Sequence, residues 1–214
     1  MKLFNKLFGF IFAVSTFGFT AHAVAEEAPD ALVKRISLEV LDAAKTDKEI
    51  QRGNQKRVLD LVEAKILPYV DFQRMTALAA GRYWRQATPE QQKQLTDEFR
   101  ALLVYTYSGA ISQIKDQKLE FKPMRAEPDD TEVEIRTQVL QPRGEPIQLN
   151  YRLQKTANGW KIYDVNVLGA WLVETYKGSF ATEIGRNGID GLIKTLADRN
   201  KRLAASAAKV ARAS

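Results

Sequence analysis

Cysteine is absent from the 214 residues, and histidine occurs once, at His22. Without thiols there is no disulfide framework, no Cys-His nucleophile pair and no thiolate metal site. His22 lies at the edge of an N-terminal segment expected to be removed, so the remaining chain also lacks a Ser-His-Asp triad and imidazole ligands for zinc. Carboxylates are present, but none take the spacing of a calcium loop. Glycine-rich phosphate loops, internal repeats and long linkers are missing as well.

The start of the chain explains where His22 goes. Lys2 and Lys6 precede "LFGFIFAVSTFGFTA", an apolar run of about 15 residues that is too short for a comfortable membrane span. Small residues at Ala21-His22-Ala23 and Ala23-Val24-Ala25 offer two cleavage positions. Residues 1–23 therefore read as a cleaved signal peptide, and the rest as an exported, periplasmic protein. No cysteine follows the run, which excludes a lipoprotein anchor.

What remains has an ordinary globular balance, 45% hydrophobic and 27% charged. It supplies one core with apolar material left over for a pocket. The net charge of +6 falls to near +4 once Lys2 and Lys6 are set aside. In an exported chain this favours anionic membrane surfaces and acidic proteins over nucleic acid as partners. Lys34, Arg35, Lys45, Lys48, Arg52, Lys56, Arg57 and Lys65 mark one basic helical region, either a docking surface or a solvated face.

Apolar spacing makes residues 24–118 mainly helical. Helices are expected from Pro29 to about Lys45 and from Asp47 to Leu67. A third is capped by Asp71 and closed by Gly81. Thr88-Pro89-Glu90-Gln91 is a capping box opening a long helix to about Ile114. Over 119–169 the period drops to 2, giving about four antiparallel strands with an Ala-Asn-Gly hairpin at 157–159. Val133, Ile135, Thr137 and Val139 share one face, as do Ile147, Leu149, Tyr151 and Leu153. Two closing helices fill 170–203, divided at Asn187-Gly188, and 204–214 reads as a flexible tail. The fold class is α+β: a curved antiparallel sheet of about four strands forming a cone, covered by helices, with an N-terminal helical subdomain.

Three features raise questions of chemistry. Asp164 is the one carboxylate at an otherwise apolar strand end. It is either an exposed or turn-capping residue or, with burial raising its pKa, a general base. "GRYWRQ" joins Arg82 and Arg85 to Tyr83 and Trp84, either a head-group or partner contact or a capped helix end packing Trp84 on the core. Tyr105, Tyr107, Tyr151, Tyr163, Trp171 and Tyr176 gather near the sheet-helix junction. That suits a cavity apolar along its walls and polar at its mouth.

"VDFQRMTALAAGRYWRQATPEQQKQLTDEFRALLVYTY" resembles the middle of the MlaC (toluene-tolerance auxiliary) family. "GEPIQLNYRLQKTANGWKIYDVNVLGAWLVETYKGSFATEIGRNGIDGLI" is similar to its C-terminal half. "GRYWR", "TPEQ", "GWKIYDV" and "GIDGLI" fall in the family's order, and the likeness runs to about Leu203. The resemblance implies a sheet-and-helix cone like that of nuclear transport factor 2. It implies a periplasmic carrier with bound phospholipid as cargo, and neither enzyme nor cofactor. The implied partners are an outer-membrane lipoprotein complex and an inner-membrane ABC transporter with an MCE-domain subunit, met by a monomer.

The family has no catalytic motif to carry over, so the contact residues come from periodicity. They are Val133, Ile135, Leu149, Tyr151, Val165, Val167, Leu172 and Tyr176 from the sheet and closing helix, with Leu102 and Tyr105 from the long helix. No metal ligands are expected. Two other readings stay open: an enzyme on the same cone using Asp164 as base on a small hydrophobic substrate, and a periplasmic adaptor without a ligand.

Overall fold

The computed structural model describes residues 26–127 and 129–213. The predicted signal peptide, residues 1–23, lies outside the described residues.

Helix α1 (Pro29–Thr46) starts with proline at its first position and buries Leu32, Val33 and Ile36. The single helix expected after it is two: α2 (Lys48–Gln51), capped by Asp47, and α3 (Gln55–Lys65), capped by Asn54. Gly53, at φ 83°, ends the first, and the Asn54 side chain starts the second by accepting from Arg57 N. A 3₁₀ turn through Pro68 leads to α4 (Phe72–Ala80), which Asp71 caps and Gly81 closes at φ 56°.

Both hydrogen bonds of the predicted capping box are present at the start of α5 (Pro89–Tyr107). This helix stops short of Ile114 and tightens into a 3₁₀ segment, Ser108–Gln113. Ser108 and Gly109 are weak helix formers, and Ser112 Oγ donates to the carbonyl of Gly109.

The sheet has six strands: β1 (Lys118–Phe121), β2 (Glu132–Ile135), β3 (Thr137–Leu140), β4 (Ile147–Thr156), β5 (Gly159–Val167) and β6 (Ala170–Trp171). Their order is β1-β3-β4-β5-β6, with β2 also on β4, and every pairing is antiparallel. Four strands become six for two reasons. The expected strand at 131–140 bends at Arg136, where Thr137 N donates to the Asn150 side chain instead of a ladder carbonyl. A two-residue β6 also returns along β5.

Strand β5 carries a bulge. Arg152 faces Asp164 while Leu153 faces Ile162, so Tyr163 is the extra residue. Successive side chains thus serve different cores. Ile162 packs with α1, Val133, Ile135 and Leu153. Tyr163 packs with the helical core of α4, α5 and α6, and Val165 touches both. A third cluster, Ala44, Ile50 and Val58, sits between the first three helices.

Helix α6 (Leu172–Ala213) is broken at Gly188, whose φ 73° and ψ −179° are not helical. The chain folds sharply there, because Thr195 Oγ1 reaches Glu183 Oε1 at 3.0 Å. This matches the division expected at Asn187-Gly188. The expected flexible tail, by contrast, is helical from 204 to 213. Among the described residues, no helix is long and apolar enough to cross a membrane.

Candidate functional site

Cross-strand pairing settles which side chains share a face. Ile135 lies opposite Tyr151, Tyr151 opposite Val165, and Leu149 opposite Val167. Val139 lies opposite Ile147 and Leu119, and Phe121 opposite Thr137. The resulting face is apolar from β1 to β5, interrupted only by Thr137. The other face carries Glu134, Gln138, Gln148, Asn150 and Arg152. Six of the ten residues expected to meet a ligand (Val133, Ile135, Leu149, Tyr151, Val165 and Val167) stand together on the apolar face.

Helix α1 covers that face unevenly. Val133, Ile135, Leu153 and Ile162 are buried against Leu32, Val33 and Ile36. Leu119, Phe121, Val139, Ile147, Leu149, Tyr151 and Val167 are only half-buried. Tyr151 shows what this means. Burial pushes its phenol above the ordinary value, with the Ser37 and Thr137 hydroxyls beside it acting in the opposite direction. The ring is largely covered yet keeps some accessible surface.

The four remaining expected residues come from the helices. Leu102, fully buried at 0% exposure, Leu172 and Tyr176 lie in the helical core, while Tyr105 is half-buried on α5. Phe99 and Phe180, outside the ten expected contact residues, also lie in that core. Phe99 meets Tyr176 and Phe180 edge-on, each with ring centroids 5.0 Å apart. Both were legible as helical-stripe residues, but spacing alone did not show that they pack on one another. Leu119, Phe121, Val139 and Ile147 were also missed as site candidates, although β1 and β3 alternate clearly.

The other tyrosines and Trp171 divide by environment. Tyr163 donates its hydroxyl to Glu132 Oε2 at 2.8 Å and lies beneath the Arg74 guanidinium, 4.0 Å from the ring centre. Arg74 also bonds Glu132 at 2.6 Å and Gln154, tying α4 to the polar face. Trp171 lies under Arg152, 3.8 Å away. Tyr83 stacks with Arg82, and Trp84 packs on the helical core. The "GRYWRQ" segment is thus a 3₁₀ turn whose two aromatics are both half-buried against the helical core, Tyr83 also meeting Arg82.

Asp164 is 1% exposed. Its Oδ1 accepts from Val165 N at 2.9 Å and from Val173 N, in the first turn of α6, at 3.0 Å. Arg152 Nη1 stands 3.6 Å from its other oxygen. Burial raises its pKa above the usual carboxylate value, while the two backbone donors and Arg152 pull the other way. These contacts make it the cap of the closing helix.

The basic region of α1–α3 is laced with ion pairs. Arg35 bonds Glu27, Lys65 bonds Glu39, Arg57 bonds Asp47 and Lys56 bonds Asp60. Elsewhere, an open cleft of about 610 Å³ lies between Leu67, Pro68 and Phe72 on one side and Arg100, Asn158 and Lys161 on the other. Its rim is charged and it does not reach the apolar face. Among the described residues, no cluster of three or more carboxylate or imidazole groups is placed to hold a metal.

Comparison with known proteins bears on this apolar face. Residues 34–198 match the family described as MlaC protein. The intermembrane phospholipid transport system binding protein MlaC of Haemophilus influenzae is 23% identical over 185 residues, 85% of this chain and 86% of that protein. The toluene tolerance protein ttg2D of Pseudomonas putida is 27% identical over 174 residues, 81% of this chain and 80% of its own length. Among solved structures, the phospholipid-binding protein of Ralstonia solanacearum in complex with a phospholipid is 47% identical, with a TM-score of 0.77. That likeness covers 82% of this chain and 98% of the other.

Proposed function

Because this chain belongs to the MlaC protein family, we propose that it is a periplasmic phospholipid carrier that shelters acyl chains between its sheet and helices. The observation that carries this reading is the half-covered apolar face around Tyr151 and Leu149. The Ralstonia relative, whose fold matches, binds a phospholipid. The cargo lies against Val133, Ile135, Leu149, Tyr151, Val165 and Val167, with Leu102, Tyr105, Leu172 and Tyr176 closing the helical side.

The energetics suit a shuttle. Two acyl chains carry roughly 30 methylenes at about 0.8 kcal/mol each. That gross sum of roughly 24 kcal/mol exceeds the ceiling on non-covalent affinity. The working equilibrium is therefore bilayer to protein, where apolar transfer nearly cancels. Few polar contacts are needed; the Tyr151 hydroxyl on this face is met by the hydroxyls of Thr137 and of Ser37 from α1.

Lipid then passes between an outer-membrane lipoprotein complex and an inner-membrane ABC transporter with an MCE-domain subunit. The chain acts after export and signal removal, as a monomer and without a catalytic step. Asp164 supports the last point, since its carboxylate is occupied by two backbone donors at the root of α6. Native mass spectrometry of protein purified from cells is the direct test. One phospholipid-sized adduct is expected; protein that is consistently lipid-free and takes nothing from vesicles sinks the reading.

A further inference from the structure

Two asparagines precede a glycine: Asn158-Gly159 in the β4–β5 hairpin and Asn187-Gly188 at the break in α6. The fold treats them differently. Asn187 Nδ2 donates to Glu183 Oε1 at 2.8 Å, and the same oxygen accepts from the Thr195 hydroxyl at 3.0 Å. Asn158 is exposed in a two-residue turn. Among the described residues its side-chain amide makes no hydrogen bond; its backbone N–H donates to Thr156 Oγ1 at 3.1 Å. The other described asparagines are tied like Asn187. Asn54, Asn150 and Asn166 accept from backbone N–H groups, and Asn200 donates to Glu98. Asp190, which also precedes a glycine, is held by Gln91 Nε2 at 2.7 Å.

Gly159 completes the arrangement. It holds the turn at φ 85°, and a Cβ there would meet nothing within 4 Å. Its nitrogen therefore has no side chain to shield it and open space on that side. An untied amide and an unshielded nitrogen are adjacent in the chain, on the surface of the protein.

We infer that Asn158 is a site of spontaneous deamidation in the folded protein. The step balances with water alone. The Gly159 backbone nitrogen gives its proton to solvent and attacks the Asn158 side-chain carbonyl carbon. A new C–N bond closes a succinimide, the bond to the side-chain nitrogen breaks, and ammonia leaves. Water then opens either imide carbonyl, leaving aspartate or isoaspartate. Attack needs an amide that can swing onto the next nitrogen, a near-attack geometry that a tethered side chain rarely reaches. Asn158 has that freedom and Asn187 lacks it. Either product adds a carboxylate to the cleft that Asn158 and Lys161 line. Isoaspartate also lengthens the main chain inside the turn, where Thr156 faces Gly159 and its hydroxyl donates to the Gly159 carbonyl at 2.6 Å. The turn lies at the opposite end of the β4–β5 ladder from Leu149 and Val167, so the half-covered part of the apolar face is untouched.

Peptide mapping of the full mature chain, aged folded in mildly alkaline buffer and separately in urea, tests this. In the folded chain the peptide holding Asn158 is expected to convert to its acid forms about ten- to a hundredfold faster than the peptide holding Asn187. In urea the two should convert at similar rates, because only the following glycine then distinguishes them from other asparagines. Isoaspartate-specific methylation of aged, folded protein should fall several-fold in Asn158→Gln, whose longer side chain closes the corresponding ring poorly. The thermal midpoint of that variant should stay at the wild-type value. Equal rates at the two sites in the folded chain overturn the inference, as does faster conversion at Asn187. So does an Asn158 that converts in urea but not when folded, or methylation unchanged in Asn158→Gln. Co-purified lipid does not enter the readout, so the carrier reading stands or falls separately.

Discussion

Asp164 shows how one side chain serves two elements. It stands within β5, opposite Arg152, and fixes the first turn of α6 through Val173 N. Burial favours its neutral form, so its folded pKa lies above its unfolded value. In the window between those values the folded state binds more protons than the unfolded state. The stability from this group is therefore present at low pH and lost as pH rises through the folded pKa. Asp164→Asn keeps an acceptor for both backbone donors and removes this dependence. Urea midpoints at neutral pH should move by less than about 1 kcal/mol for Asn, whereas Asp164→Ala, which deletes the cap, should cost about 1–2 kcal/mol. The sequence showed a carboxylate at a strand end. The bulge at Tyr163 that sets the register around it depends on β4 and left no local sign.

Among the elements, those with local signals were legible. The capping box of α5, the Asp71 cap, the period-2 strands and the break at Asn187-Gly188 all follow from short-range chemistry. What escaped was set by distant neighbours. The bend at Arg136 exists because β2 and β3 pair with different parts of β4. The helix at 204–213 continues a register fixed by Glu98, which holds Asn200 from α5. One junction contradicts its local sequence. The β5–β6 hairpin turns on Leu168 and Gly169, at φ 55° and 87°, and Leu168 is 72% exposed. Both positive angles suit a two-residue turn that prefers Asn-Gly, and a leucine there is strained. Leu168→Asn should stabilise the protein by about 0.5–1 kcal/mol, read as a higher urea midpoint at unchanged slope.

At the scale of the whole molecule, two cores share one strand and leave part of the apolar face beside it only half-covered. The apolar face was readable from alternation alone. Which half of it α1 would cover was not, because that depends on where Leu32, Val33 and Ile36 cross the sheet. Helical spacing likewise put Leu102 and Tyr176 on inward stripes, but did not show that Phe99 and Phe180 share their core. Adding bulk to the half-covered part of that face tests its role directly. Leu149→Trp, at a half-buried position, should reduce co-purified phospholipid several-fold while leaving the thermal midpoint within a few degrees. A normal lipid content would place the cargo elsewhere. The aromatic trio has a further consequence, for the order of folding. Phe99 leaves the ribosome long before Tyr176 and Phe180, and α4 and α5 complete the burial of their apolar stripes against those late arrivals. The helical core therefore closes last, by a contact of high sequence separation. A nascent chain halted before Leu172 stays open, sticky and dependent on chaperones until its own C-terminus is released.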